Sequence, residues 1–143
     1  MKSLIDYLYE STNKKFVDIF VIHNDKFLIL RRANYMKRYP GKWCLPGGSI
    51  DKNESATNAV IRELREETNI DVNKVEYWKT HTYPDGSTSD IFYIKLDSNK
   101  EVKISREHAA FKWIDESEIS SKKWAGELET IILKFFKEHE NLL

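Results

Sequence analysis

At 143 residues, 41% of them hydrophobic, the chain is the size of one domain and can bury a core without disulfides or a structural metal. Its 23 Lys and Arg balance 23 Asp and Glu, so no overall field draws it to nucleic acid or an anionic membrane, and any phosphate recognition must be local. With five Gly, three Pro and 32% charged residues it is neither low-complexity nor disordered, and no window approaches the apolar length of a membrane span.

Leu4, Ile5 and Leu8 suggest a short opening helix, and Asp6 and Glu10 interrupt what would otherwise resemble an export signal. A lone cysteine, Cys44, fits a reducing compartment, so a cytoplasmic setting is expected. Phe16 to Ile22 and Lys26 to Arg32 are apolar and β-branched, with turn residues His23-Asn24-Asp25 between them, which predicts a hairpin. The pattern dissolves from Ala33 to Lys42, and Trp43-Cys44-Leu45 then runs into Pro46-Gly47-Gly48. A helix is expected from Glu54 to Thr68, with Asn53 as its N-cap and Val60, Ile61 and Leu64 at helical spacing. Val72 to Tyr83 and Ser89 to Leu96 read as strands joined by Pro84-Asp85-Gly86. Ala109 to Ile114 reads as a further strand, and Trp124 to Glu138 as an amphipathic helix through Leu128, Ile131, Ile132, Phe135 and Phe136. Hairpins interleaved with helices predict an α+β layered sandwich with a mixed sheet, and no composition break divides residues 1–143.

On an ideal helix Glu63, Glu66 and Glu67 fall within about 100° of one another, beside the apolar arc of Val60, Leu64 and Ile61. Charge runs are ordinarily solvated helix faces, and Arg62 to Glu66 is an ordinary four-residue ion pair. Here, however, the carboxylates follow a Gly-Gly turn whose backbone can approach closely, an oxygen-rich setting that suits Mg²⁺ or Mn²⁺ better than zinc. The histidines at 23, 81, 108 and 139 form no helical pair. From Lys26 to Ile50 there is no acid, but there are Lys26, Arg31, Arg32, Lys37, Arg38 and Lys42. Anionic phosphates between cationic side chains and carboxylate-held metal would account for both halves of that segregation, with Arg32 foremost.

Gly48, five residues, Glu54, seven residues and then Arg62-Glu63-Leu64-Arg65-Glu66-Glu67-Thr68-Asn69-Ile70 resemble the Nudix box, the signature of hydrolases acting on a nucleoside diphosphate linked to another group. The departure is Asn69 where the box ends in glycine, and Asn is the residue that best tolerates a left-handed position after Gly. The resemblance implies a Nudix-like α/β/α sandwich and metal binding by Glu63, Glu66 and Glu67, with the carbonyl of Gly47 as a further ligand. It makes Glu54 and Arg62 a structural pair that holds the loop containing Gly48 to the helix. A family glutamate outside the box, on a loop before a strand ending in Trp, resembles Glu107, six residues before Trp113. The implied reaction is attack of metal-activated water on phosphorus, with Glu63, Glu66 or Glu107 taking the proton.

The expected substrate is a small nucleotide, either a nucleoside triphosphate or a nucleoside diphosphate derivative. ADP-ribose, nucleotide sugars, dinucleoside polyphosphates and 5′-triphosphorylated RNA stay open. Arg31-Arg32-Ala33 resembles the triphosphate-cleaving branch. The oxidised-dGTP enzyme of that branch reads its base with an asparagine before the last helix, where this chain has Trp124-Ala125-Gly126-Glu127. A rival class is a domain that binds nucleotide without cleaving it, but such members usually lose box carboxylates. Tyr35, Tyr39 and Tyr83 are the aromatic candidates for substrate contact. Cys44 is expected to be a small buried group and His108 a solvent-exposed loop residue. No sequence-specific nucleic-acid binding and no membrane contact are expected, and an apolar sheet edge leaves a homodimer open.

Overall fold

The computed structural model describes residues 14–142 and, before them, Leu4 alone; the expected opening helix otherwise lies outside the described residues. Seven strands form one mixed sheet: β1 (Lys15–His23), β2 (Lys26–Arg32), β3 (Trp43–Cys44), β4 (Gly47–Ser49), β5 (Glu76–Thr82), β6 (Thr88–Lys95) and β7 (His108–Ile114). Their main order is β3-β2-β1-β6-β5, with β4 added to β1 and β7 to β2. Of these pairings only β1 with β6 is parallel. The expected α+β class with a mixed sheet is what the chain adopts.

The β1–β2 hairpin turns through Asn24 and Asp25, both at positive φ (50° and 62°), the turn geometry whose twist matches that of the strands. The Gly47-Gly48 run, expected to end a strand, forms one instead, pairing Asp18 with Gly47 and Val17 with Gly48. Lacking a Cβ atom, Gly47 allows a backbone approach no other residue could, and Gly48 leaves room for the Glu63 carboxyl. A Cβ on Gly47 would strike the Val17 carbonyl, and one on Gly48 would come within 2.5 Å of the Glu63 carboxyl carbon.

Helix α1 spans Ala56–Thr68, two residues later than expected, and its N-cap is Ser55 rather than Asn53. The Ser55 hydroxyl accepts from the Asn58 N–H at 3.1 Å. Asn53 is in a left-handed turn (φ 66°), outside the extended backbone an N-cap takes. Asn69 closes the helix in the left-handed region (φ 65°), as its substitution for glycine predicts.

Helix α2 spans Leu128–Glu138, starting four residues after Trp124. Trp124 instead bridges to Trp43, and Gly126 bends the chain at φ 53° before the helix begins. The buried face of α2 stacks Phe135 on Phe20 of β1, with ring centroids 3.9 Å apart. Between β7 and α2 lies a 3-10 turn, Glu116–Ser121, that hydrophobic periodicity gave no reason to expect. Among the described residues no helix is long and apolar enough to cross a membrane.

Candidate active site

The end of α1, β4, the loop before β7 and the approach to α2 enclose a cavity of about 750 Å³, within the range of small-molecule sites. Glu63, Glu66 and Glu67 reach it from α1, Glu107 from the loop before β7, and Asp18 from β1. Arg32, Arg38, Tyr39 and Tyr83 line it from other directions. The expected acids therefore share one cavity with two of the expected cations, Arg32 and Arg38, and Gly47 and Gly48 are also in its wall.

One arginine organises the box. Arg62 Nε donates to Glu54 Oε2 at 2.8 Å and its Nη2 to Glu54 Oε1 at 2.9 Å, a two-pronged pair that also reaches the Ser49 carbonyl at 3.1 Å. The Arg62 hydrogen bonds, with the Asp51 N–H, hold the Glu54 carboxyl down to about 2. The same guanidinium donates to Glu63 at 3.0 Å and Glu66 at 3.2 Å. Glu63 nevertheless lies above the ordinary carboxylate range, because burial against Gly48 outweighs that bond. Glu67 is buried, accepts the Gly47 N–H at 2.7 Å, and is pushed well up by burial and then by the neighbouring Glu63, Glu107 and Asp18 charges.

A divalent cation would answer that surplus charge. Seven carboxyls line the cavity, Asp85 and Glu127 with the five already named, and Arg62 reaches only Glu63 and Glu66 among them. Oxygen is the donor a hard cation takes, so the chemistry of the set fits Mg²⁺ or Mn²⁺. Among the described residues no three His, Cys, Asp or Glu side chains stand ready around a single point. The reason is visible: Glu63 and Glu66 are turned onto Arg62, and Glu67 onto the Gly47 N–H. Rotation of Glu63 and Glu66 off the guanidinium is what loading would require.

Several residues sit otherwise than their sequence suggests. His108 is not an exposed loop residue: it opens β7, its side chain is 1% exposed, and burial with the Arg32 charge lowers it to about 4. The ring is thus neutral, 3.7 Å from Glu67 Oε2 and 3.8 Å from Cys44 Sγ. Burial, then the Glu67 charge, pushes the Cys44 thiol up, so it remains a small buried group despite that neighbour. Arg31 is exposed and lines no part of the cavity; a register shift between Arg31 and Arg32 re-aims the strand, and only Arg32 turns inward. Tyr35 is likewise apart, its hydroxyl bonded to the Arg106 carbonyl.

Sequence reasoning misses Asp18, although it is the single charge inside the apolar run Phe16–Ile22 of a central strand. Burial raises its carboxyl to about 7 against the opposing Ser89 hydrogen bond. Burial, then the Asp18 charge, raises the Tyr83 phenol. Arg38, also in the cavity wall, lies over the rings of Phe16 (5.3 Å) and Tyr39 (5.6 Å).

Comparison with known proteins agrees with this geometry. A model of the NUDIX domain matches residues 13–135. The nucleoside triphosphatase NudI of Escherichia coli O139:H28 (strain E24377A / ETEC) is 32% identical over 108 residues, covering 66% of this chain and 77% of that protein. A bifunctional NMN adenylyltransferase/ADP ribose pyrophosphatase of Francisella tularensis, solved with AMP and a Mn ion, gives a TM-score of 0.78 at 26% identity over 94% of this chain and 47% of its own. A NUDIX hydrolase from Nitrosomonas europaea gives 0.79 at 24% identity, over 90% and 73%.

Proposed function

The chain belongs to the Nudix hydrolase family, and from that premise we propose that it cleaves a diphosphate bond in a small nucleotide with the help of a divalent metal ion, Mg²⁺ or Mn²⁺. The observation that carries the reading is the gathering of Glu63, Glu66, Glu67 and Glu107 with Arg32 and Arg38 around one nucleotide-sized cavity. The substrate is a nucleoside triphosphate or a nucleoside diphosphate linked to another group. The likeness to a nucleoside triphosphatase favours the first, and a bifunctional relative with ADP ribose pyrophosphatase in its name keeps the second in the test.

Glu63, Glu66 and Glu67, with Glu107 and the Gly47 carbonyl, would hold the metal. Once bound, that ion neutralises diphosphate charge and acidifies water. Glu54 and Arg62 fix the loop containing Gly48 against α1, so that the loop and the helix that carries the glutamates keep their relative place before substrate arrives. Arg32 and Arg38, which line the same cavity, receive the phosphates, where their charge offsets what builds on the oxygens as the bond breaks. A carboxylate among Glu63, Glu66 and Glu107 takes the proton of the attacking water. Tyr39 and Tyr83 offer faces to the base. The free, buried Cys44 accords with a reducing, cytoplasmic setting.

The test is a panel of nucleoside triphosphates, ADP-ribose, nucleotide sugars and dinucleoside polyphosphates, incubated with Mg²⁺ and scored for which phosphate bond breaks. Cleavage at a diphosphate linkage that stops on chelation is the expected result. Binding without cleavage of any member would overturn it.

A further inference from the structure

Glu67 differs from the other α1 acids in what surrounds it. Glu63 and Glu66 share the Arg62 guanidinium, but among the described residues no lysine or arginine pairs with Glu67. Its side chain is buried, 8% exposed. Oε1 accepts the Gly47 N–H at 2.7 Å, and Oε2 faces Nε2 of His108 at 3.7 Å. Each oxygen of this carboxyl therefore looks at one nitrogen of the protein.

The His108 ring is expensive to bury. Among the described residues its Nδ1 is shut away from solvent without a hydrogen-bond partner, where a hydrocarbon of similar size would leave no polar atom to satisfy. What a hydrocarbon lacks is Nε2, the ring nitrogen that does have polar neighbours, Glu67 Oε2 and Cys44 Sγ. The backbone sets the ring's place. His108 is in register with Arg32 of β2, its N–H donates to the Ser105 carbonyl at 3.1 Å, and the Ser105 N–H donates to the Glu67 carbonyl at 3.1 Å. The segment that carries the ring is thus bonded to the residue whose side chain the ring faces.

A carboxylate that holds a cation has lost its proton and can only accept, so in a loaded site a bare Nε2 would set lone pair against lone pair. A hydrogen on Nε2 removes that conflict, and it leaves Nδ1 as an unfilled acceptor, a lesser cost than a buried orphan N–H. At 3.7 Å the contact is longer than a hydrogen bond, and a shift of under about 1 Å by either group closes it.

We propose that His108 is a positioning residue for the metal site: its Nε2–H, with the Gly47 N–H on the other oxygen, fixes the orientation of the Glu67 carboxylate, so that Glu67 is preset while Glu63 and Glu66 are the ones that turn. This rests on the reading of the α1 acids as a metal site, and it adds how one of them is held ready.

Mn²⁺ binding without substrate, read from the free-ion signal in electron paramagnetic resonance, is compared in the parent, His108→Gln and His108→Asn. The Gln amide nitrogen falls near the place of Nε2, and that of Asn near the place of Nδ1. Gln should keep the Kd within about threefold, and Asn should raise it about tenfold, the lower end of what losing a partner to a metal ligand costs. Both variants lose the ring, so a role in packing alone gives them similar values. The second measurement needs no variant and decides the matter should neither substitution fold. In the Mg²⁺-loaded parent, the histidine ¹⁵N spectrum should show His108 with its hydrogen on Nε2. Of the four histidines it is the one in the cavity wall, so a trace of Mn²⁺ marks it by broadening its signals most.

Equal Mn²⁺ affinity in all three proteins would overturn the proposal, as would equal weakening by Gln and Asn, or a hydrogen found on Nδ1 with Nε2 bare. In each of those cases uptake by the parent leaves the metal reading intact. No uptake by the parent would overturn that reading and this proposal together.

Discussion

Helices α1 and α2 both pack on β1 and are held by opposite means. Helix α2 buries Leu128, Ile131, Ile132, Phe135 and Phe136, and its N-terminus has no side-chain cap. Helix α1 buries Ala59, Val60 and Leu64 but also Glu67 and Thr68, and it has a Ser55 cap, a left-handed Asn69 closure and the Arg62–Glu54 clasp. Buried apolar area is the main support of the first, with a His139–Phe135 carbonyl bond at its end. The second carries carboxylates that burial has raised above their ordinary range, a standing cost that its caps and clasp offset. The lesson is that α1 is organised for chemistry at some expense of stability, and α2 the reverse.

The sharpest way to break that contrast is Glu66→Gln. Its carboxylate is half exposed, so folding should be untouched, while kcat on the preferred nucleotide should fall by about 10²–10⁴-fold. Steady-state kinetics within a few-fold of the parent would remove α1 from the chemistry. The converse change, Phe135→Ala in α2, should cost about 3–5 kcal/mol in denaturant unfolding and leave kcat of the folded protein nearly intact.

Glu67→Gln tests the stored cost itself. Because burial raises the folded-state carboxyl, the native protein holds that proton more tightly than the unfolded chain does. Stability is therefore present at low pH and lost as pH rises from the ordinary glutamate range through the folded value. In chelator, thermal melts of the parent should decline with rising pH across that interval, and the variant should decline less and melt higher at pH 8. The smallest effect belongs to Asn69→Gly: with the residue already left-handed, stability should stay within about 0.5 kcal/mol of the parent or rise slightly, and activity should persist.

Much of this contrast is legible in the sequence. The apolar period of α2 and the carboxylate face of α1 are local patterns, and the box spacing names its own clasp, Glu54 with Arg62. What sequence reasoning misses depends on pairing between distant segments. His108 looks like a loop residue until β7 pairs with β2 and buries it beside Cys44 and Glu67. Gly47-Gly48 looks like a stop until β1 accepts it as a strand. Arg32 is favoured over Arg31 in the sequence only by its place at the strand's end, and a register shift is what parts them in space. Asp18 does leave a signal, a charge in the middle of a central strand, of the kind that marks function where local rules are broken.

The most direct test of the account is uptake of Mn²⁺ by the chelator-stripped protein, followed through the free-ion signal in electron paramagnetic resonance. The parent chain should bind the ion saturably, and a variant with Glu63, Glu66 and Glu67 all changed to Gln should not, although its circular dichroism matches the parent's. No uptake by the parent, or equal uptake by both, would contradict the claim that these acids are gathered to hold a metal beside a diphosphate.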